Sequence, residues 1–202
     1  MRTPAGKDHP TRQKLIQSIL DLSKNTSLQS IHSYDVLEHS GISKGSLYHH
    51  FENFQDLVED AHLERFADSV QKLHKHTNEY LPSIITSAPY EKNFIKVLKF
   101  ISGPSFKAER INMIHCITLM ENNHGFSQKI RPHLNYFDNF LEHSLLKELK
   151  VPTQVSKADQ ERAVVIARTL FFGRAAEDLK TSPISNIQWN RFLDSIQIVK
   201  VA

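Results

Sequence analysis

The sequence contains very little cysteine: Cys116 is the single example among 202 residues. One thiol cannot form an internal disulfide, and it cannot build a zinc or iron–sulfur site that needs several cysteines. The sequence therefore argues against a disulfide scaffold and against dithiol redox chemistry. A reducing compartment is consistent with this composition.

Long apolar runs are also missing. No stretch has the length of a signal-peptide core, and none approaches the run of about 18 apolar residues that spans a membrane. We therefore expect a cytoplasmic protein without a membrane partner. The alternation typical of β-strands is missing as well, while apolar residues recur at the helical spacings of three and four.

The composition is that of an ordinary globular protein, with 40% apolar residues and a net charge of +3. Residues 1–54 contain slightly more basic than acidic side chains. This balance permits binding to a polyanion but does not establish it.

The first half of the chain predicts four helices. The first spans about 11–23. The second is a short helix with Ser33 as N-cap, and it ends near Ser40 at Gly41, whose backbone can adopt a positive φ. The third spans 43–50, with Ser43 as N-cap and a hydrophobic staple between Ile42 and Leu47. The fourth is a long helix that begins after Asn53 and ends shortly before Pro82.

Five further helices are predicted, which gives an all-α protein of nine helices. The small N-terminal unit, residues 1–53, joins a larger helical bundle, residues 54–202. The predicted bounds of the later helices are 90–101, 106–122, 132–150, 157–179 and 187–199.

Two short helices joined by a glycine turn, behind a preceding helix, indicate a helix-turn-helix unit whose second helix reads the DNA major groove. Hydroxyls, a cation and a phenol near helix N-termini are suited to phosphate contacts, and glycine permits close approach of a backbone. Leu47 and Phe51 would face the small core. The predicted DNA-binding residues are Ser33, Ser43, Lys44, Gly45, Ser46, Tyr48, His49 and His50.

The stretch Gly41–Phe51, read as GISKGSLYHHF, resembles the motif of the TetR family of bacterial transcriptional regulators at ten positions. The resemblance covers about 65 residues well, while the rest of the chain matches only in length and helical character. It implies a homodimeric repressor that binds a partly palindromic double-stranded DNA operator. It also implies a small-molecule effector in the C-terminal domain, with no catalytic activity, cofactor or metal.

The chain departs from the family pattern after Phe51, where Phe54 occupies the position of a usual lysine. A phenylalanine cannot make an ionic contact with a phosphate. The segment before Ser33 also departs from the usual pattern. His49 and His50 could compensate when protonated, so the sequence predicts DNA binding that strengthens from pH 8 to pH 6.

Apolar residues of helices four to seven are predicted to line a cavity for a hydrophobic or amphipathic effector. Plain core packing is the alternative for these side chains, and it fits most of them better than a cavity lining does. The residues are Phe66, Val70, Phe94, Val97, Leu98, Ile101, Met113, Cys116, Ile117, Met120, Phe137 and Phe140.

The last two helices correspond to those that form the dimer interface of the family. Small residues on the first and bulky residues on the second fit this role, although the same stripes could cover the monomer's own bundle. The predicted interface residues are Ala163, Ala167, Leu170, Phe171, Ala175, Trp189, Phe192, Leu193 and Ile196.

Parts of the sequence also fit three other functions. Gly41–Gly45 satisfies the G-x-S-x-G pattern of α/β hydrolases, but the preceding residues have helical rather than strand spacing. Twelve histidines raise the possibility of metal sensing, although no helix-borne H-E-x-x-H occurs. A non-enzymatic helical adaptor or scaffold that binds a protein partner is the alternative function.

Overall fold

The computed structural model describes residues 9–24, 30–120, 123–149 and 155–196. Within these ranges the chain forms nine α-helices and no strand, which confirms the all-α prediction. A 3₁₀ turn, Pro104–Phe106, precedes the sixth helix, and a π-helical segment, His143–Lys147, follows the seventh. The helices are α1 Pro10–Leu22, α2 Ser33–Ser40, α3 Lys44–His50, α4 Phe54–Ile84, α5 Tyr90–Ile101, α6 Lys107–Met120, α7 His124–Glu142, α8 Lys157–Asp178 and α9 Asn186–Ser195.

The described helices belong to two compact units, Met1–Arg65 and Phe66–Ala202. The division falls inside α4, so this helix contributes its first turns to one unit and its remainder to the other. The functional boundary predicted between residues 53 and 54 stays a prediction.

The first unit is built on a small apolar core to which α1, α2, α3 and the start of α4 each contribute. Full burial of one such side chain stabilises the folded state by about 1.5–3 kcal/mol. The packing of these side chains therefore stabilises three short helices, each of which would be only marginally stable in isolation. Its buried members are Leu15, Ile16, Ile19, Ile31, Val36, Leu47, Phe51, Leu57 and Ala61. Arg12 adds an ion pair with Asp60 and lies over the Phe51 ring at 4.8 Å.

The predicted N-cap of α2 was wrong by one residue. His32 is the cap, in extended conformation, and its backbone N–H donates to Asp35 Oδ2 at 2.8 Å. Ser33 is the first helical residue, so its backbone is already turned into the helix.

Two predicted helix ends at prolines were wrong. α4 continues through Pro82, because Leu81 is only 2% exposed and its burial offsets the missing backbone N–H. α7 begins at His124 rather than at Pro132, since Asn123 Oδ1 caps it by accepting from Phe126 N at 2.9 Å. Burial of Phe126 and Ile130 stabilises the turns that precede Pro132.

The other predicted helices lie within a few residues of the observed ones, and α5 has the predicted bounds. The predicted ends of three helices at residues 122, 150 and 199 fall outside the described residues. α9 ends at Ser195, where Ile196 adopts an extended conformation.

The second unit has an aromatic core and, within it, a buried ionic network. Phe66, Phe94, Phe106, Phe126, Phe137 and Phe171 are all almost fully buried. Arg110 of α6, which is 0% exposed, donates to Asp178 Oδ2 of α8 from Nε at 2.9 Å and from Nη2 at 2.6 Å. The Arg110 Nη1 donates to the Gly103 carbonyl at 2.7 Å. The guanidinium therefore connects α6 both to the segment after α5 and to the end of α8.

Candidate functional site

The helix predicted to read DNA, α3, is fixed at its start by local contacts. Gly41 ends α2 with φ 65° and ψ 19°, the left-handed conformation expected of a glycine helix stop. Ser43 Oγ then caps α3 by accepting from Ser46 N at 3.3 Å. Ile42 and Leu47 both pack in the core of the first unit, as the predicted staple requires.

The two faces of α3 differ sharply in exposure. Leu47 is fully buried and Phe51 is 2% exposed, so both point into the core as predicted. The outward face carries hydroxyl, ammonium, phenol and imidazole groups. Its exposed residues are Ser43, Lys44, Gly45, Tyr48 and His49, and Ser46 is half-buried. This is the arrangement that a phosphate-binding helix needs.

Gly45 lies in open space. A Cβ built on Gly45 would meet no heavy atom within 4 Å, and the residue has no positive φ. The protein's own packing therefore does not require glycine here, although glycine costs an α-helix about 1 kcal/mol relative to alanine. An external group that approaches the α3 backbone closely would supply the missing reason.

His50 differs from its neighbour His49 because it is buried, with 7% of its surface exposed. Its ring centroid lies 4.5 Å from that of His9 and 5.2 Å from that of His49. Burial lowers the pKa of His50, and nearby His9, His49 and Arg12 lower it further. A buried and neutral imidazole offers no cation to a phosphate, so the predicted electrostatic role falls to the exposed His49.

Two other residues of the first unit, Phe54 and Tyr34, bear on the predicted DNA contacts. Phe54 is half-buried and packs against the core, which explains how an apolar residue is accommodated at its position. Tyr34, on the first turn of α2 beside the half-buried Ser33, is 70% exposed. Tyr34 was not among the predicted DNA-binding residues. It lies two residues before the buried Val36, and residues with that spacing do not share a helix face, which could have indicated that Tyr34 is exposed.

The predicted effector residues lie in the second unit, and most form densely packed core. Ten of the twelve are at most 3% exposed, and Ile117 and Met120 are half-buried. A cleft of about 210 Å³ lies at the edge of this group, lined by Ala67, Val70, Gln71, His133 and Tyr136. Val70 is therefore both a predicted effector residue and part of a cleft wall.

Polar groups accompany that cleft on α4 and α7. The Tyr136 hydroxyl lies 2.9 Å from His74 Nδ1, and the His74 ring lies 5.3 Å from that of Phe140. Earlier in both helices, the ring centroid of His133 lies 6.4 Å from that of Phe66. These pairs show that α4 and α7 pack side by side within the second unit.

The predicted interface residues separate into buried and exposed groups. Ala167, Phe171, Ala175 and Leu193 are at most 1% exposed in the single chain, and Ala163 and Trp189 at most 8%, so they pack within the monomer. Leu170 and Ile196 are half-buried, and Phe192 is 46% exposed. Other exposed apolar side chains in this part of the chain are Val165, Ile166, Leu179 and Ile187.

Other kinds of site have little structural support among the described residues. There, no group of three or more His, Cys, Asp or Glu side chains is arranged to hold a metal ion. Ser43 of the G-x-S-x-G pattern caps a helix and follows a helix rather than a strand, unlike a hydrolase nucleophile. None of the described helices combines the length and apolar character needed to cross a membrane.

Comparisons with known proteins find a likeness of fold. No protein-family model matches the chain, and no curated protein matches it. The fatty acid degradation regulator FadR from Bacillus halodurans superposes with a TM-score of 0.55 at 14% identity, over 94% of this chain and 97% of that one. The fold is similar to that of a transcriptional regulator.

A second solved structure agrees with the first. The transcriptional regulator FadR from Bacillus subtilis, crystallised in complex with stearoyl-CoA, superposes with a TM-score of 0.50 at 14% identity. The likeness covers 91% of this chain and 97% of the FadR chain. Both matches therefore extend over the whole helical architecture and not only over the helix-turn-helix unit.

Proposed function

We propose that this protein is a ligand-responsive, DNA-binding transcriptional regulator of TetR type, and that it acts as a repressor without catalysis. The observation that carries the proposal is the outward face of α3, where Lys44, Tyr48 and His49 project beside an open Gly45. A helix with this face, fixed behind a glycine turn, is suited to the major groove. The fold shared with two FadR regulators supports the same function.

The DNA contacts divide by chemistry. The Tyr48 hydroxyl and the Lys44 ammonium bind phosphate oxygens, and the backbone at Gly45 approaches the sugar–phosphate chain closely. Ser43 and Ser46 add hydroxyls at the N-terminus of α3, where the helix dipole favours an anion. These contacts set affinity, and the side chains that reach base edges set sequence preference.

The proposed repressor is a homodimer that binds a partly palindromic operator. Of the nine large apolar side chains exposed among the described residues, five lie between Val165 and Phe192, in or between α8 and α9. An apolar surface of this kind is typical of a protein contact. We expect the exposed Val165, Ile166 and Phe192 to contact the partner, while the buried residues of these helices support that face from behind.

The proposed effector is an amphipathic molecule that carries a long acyl chain. The apolar, phenylalanine-rich interior of the second unit suits an acyl chain. One structural neighbour, FadR from Bacillus subtilis, was crystallised with stearoyl-CoA. Binding of such an effector would favour a conformation with lower affinity for the operator and release the DNA.

The function is tested by selecting bound sites from randomised DNA duplexes and measuring affinity at several salt concentrations. A regulator should enrich a common, partly symmetric sequence, and its affinity should fall steeply with salt because each phosphate contact releases counterions. A protein adaptor would enrich no sequence and show no such slope. Addition of stearoyl-CoA to the selected complex tests the effector.

The dimer is tested separately by light scattering at micromolar concentration. Phe192→Glu and Val165→Glu should convert the dimer to monomers, because a carboxylate is expensive to bury in an apolar interface. Tyr80→Glu, at a 53% exposed position of α4, is the matched control and should leave the mass unchanged. A wild-type mass of one chain would contradict the dimer.

A further inference from the structure

Thr77 interrupts the buried apolar side of α4. It lies between Leu73 and Leu81, each four residues away and therefore on the same side of the helix, and both are at most 2% exposed. Thr77 is itself fully buried, at 0% exposure. Its hydroxyl oxygen has no hydrogen-bond partner within the part of the chain that the structure describes.

Ser144 presents the same anomaly after the end of α7. It is 1% exposed, and its hydroxyl is also unpartnered among the described residues. It lies in the π-helical segment His143–Lys147, and such segments are frequent at functional sites. Buried hydroxyls nearly always have a partner in a folded protein, so two without one call for an explanation.

The contacts between α4 and α7 indicate how far along the two helices Thr77 and Ser144 lie. Phe66 of α4 contacts His133, and His74 contacts Phe140, so the two helices advance in the same direction. Thr77 follows His74 by three residues, and Ser144 follows Phe140 by four, which keeps each on the face of the contacting residue before it. By this spacing, both residues lie about one turn beyond the contact between His74 and Phe140, along the seam between the two helices.

The backbone is irregular on both sides of this seam. Pro82 lies little more than one turn after Thr77 and cannot donate to the carbonyl of Asn78. On the other side, the α-helical hydrogen bonding of α7 changes to π-helical at His143. Prolines and π-helical turns of this kind are sites at which helices bend.

We propose that Thr77 and Ser144 form the polar subsite of the effector pocket and donate hydrogen bonds to one carbonyl oxygen of a neutral acyl group. The proposal rests on the proposed function and names the part of the effector that is recognised. A carbonyl oxygen has two lone pairs and can accept from both hydroxyls. Because the flanking Leu73, Leu81 and Phe140 are apolar, a thioester or ester fits better than an unpaired carboxylate, whose charge would be expensive to bury.

The test compares stearoyl-CoA with S-octadecyl-CoA, the thioether that keeps the chain and the nucleotide but lacks the carbonyl. Wild-type protein should bind the thioester about five- to tenfold more tightly, the value of hydrogen bonds gained in a dry site. Thr77→Val and Ser144→Ala should each reduce this preference. The variants should also be as stable without ligand as the wild type, or melt about 2–4 °C higher, because an unsatisfied hydroxyl has been removed.

Ser102→Ala is the matched control. Ser102 is also buried, but its hydroxyl donates to the Leu98 carbonyl and accepts from Trp189 Nε1 at 2.9 Å. Its removal should lower the melting temperature and leave the preference for the thioester unchanged. Equal affinity of wild-type protein for the two ligands, binding of neither, or destabilisation by Thr77→Val would each overturn the subsite.

Failure of the subsite and failure of the regulator give different results. A protein that retains its selected DNA duplex but does not distinguish the thioester from the thioether remains a regulator without this subsite. A protein that distinguishes the two ligands but enriches no duplex has the subsite without the proposed regulatory function.

Discussion

The two units of the protein place their polar side chains in opposite environments. In the first unit, α3 turns a phenol, an ammonium group and hydroxyls toward solvent. In the second unit, Arg110 and Asp178 form an ion pair inside the core, with 0% and 2% of their side chains exposed. An exposed polar residue of α3 can therefore be changed at little structural cost, whereas stability depends on the buried, paired charges of the bundle.

The largest effect is expected from Arg110→Met. This change leaves Asp178 buried, with Arg174 Nε at 3.4 Å as its remaining close cation. Breaking a buried pair from one side should lower the free energy of unfolding by about 3–5 kcal/mol. Denaturant unfolding measures the loss. Arg162→Met, which removes an exposed pair with Asp159, is the control and should change stability little.

Tyr48→Phe, on α3, should reduce DNA affinity without reducing stability. The hydroxyl is exposed, so its loss should leave the melting temperature unchanged. Affinity for the selected duplex should fall about tenfold or more, since a hydrogen bond to a charged group contributes about 1.5–3 kcal/mol. Tyr80→Phe, at another exposed tyrosine, should change neither quantity. Unaltered DNA affinity in the Tyr48 variant would show that this phenol is not a contact.

Gly45→Ala should change stability and DNA affinity in opposite directions. Alanine should stabilise α3 by about 0.5–1 kcal/mol, because the added Cβ meets open space. DNA affinity should nevertheless fall, since the methyl group occupies the approach to the backbone. Gly125→Ala, at the equivalent position of α7, should stabilise without any effect on DNA. Greater stability with undiminished DNA affinity at Gly45 would contradict the close approach.

The smallest effect on stability is expected at His50. This residue is an exception to the contrast between the units, because it is a buried polar residue in the first unit. Burial holds its folded pKa below the ordinary histidine value of 6.5, so the unfolded chain binds the proton more readily. The stability that this neutral imidazole contributes is therefore present above pH 6.5 and is lost as pH falls through the lower folded pKa.

Unfolding of wild-type protein and His50→Gln at pH 7.5 and pH 5.0 measures this dependence. The variant should lose less stability on acidification than the wild type. His39→Gln, at an exposed position of α2, should keep the wild-type dependence. An identical loss in wild type and His50→Gln would show that other groups titrate in this range.

Much of the candidate DNA site could be predicted because its determinants are local. Positive φ at Gly41, the Ser43 cap and the staple between Ile42 and Leu47 all act within a few residues. The exposure of Tyr48 and the burial of Leu47 follow from one helical period. Burial of His50 did not follow, because it depends on His9, which lies some forty residues earlier in the chain.

The second unit was harder to predict for the same reason. Apolar spacing identified its core residues but not which of them border a cleft, and it could not distinguish packing within the monomer from packing between monomers. Trp189, predicted at an interface, donates to Ser102 within the same chain, which apolar spacing did not indicate.

The sequence by itself determined the helical class, the glycine turn and the polar face of α3, because short-range hydrogen bonds and helical periodicity are encoded in neighbouring residues. Only the tertiary structure decided that α4 and α7 continue through Pro82 and Pro132 and that Arg110 pairs with Asp178. It alone left Thr77 and Ser144 buried with no hydrogen-bond partner among the residues that the structure describes. These outcomes depend on contacts between residues that are far apart in the chain. The free energy gained by packing such residues together exceeds the local conformational preference of the backbone.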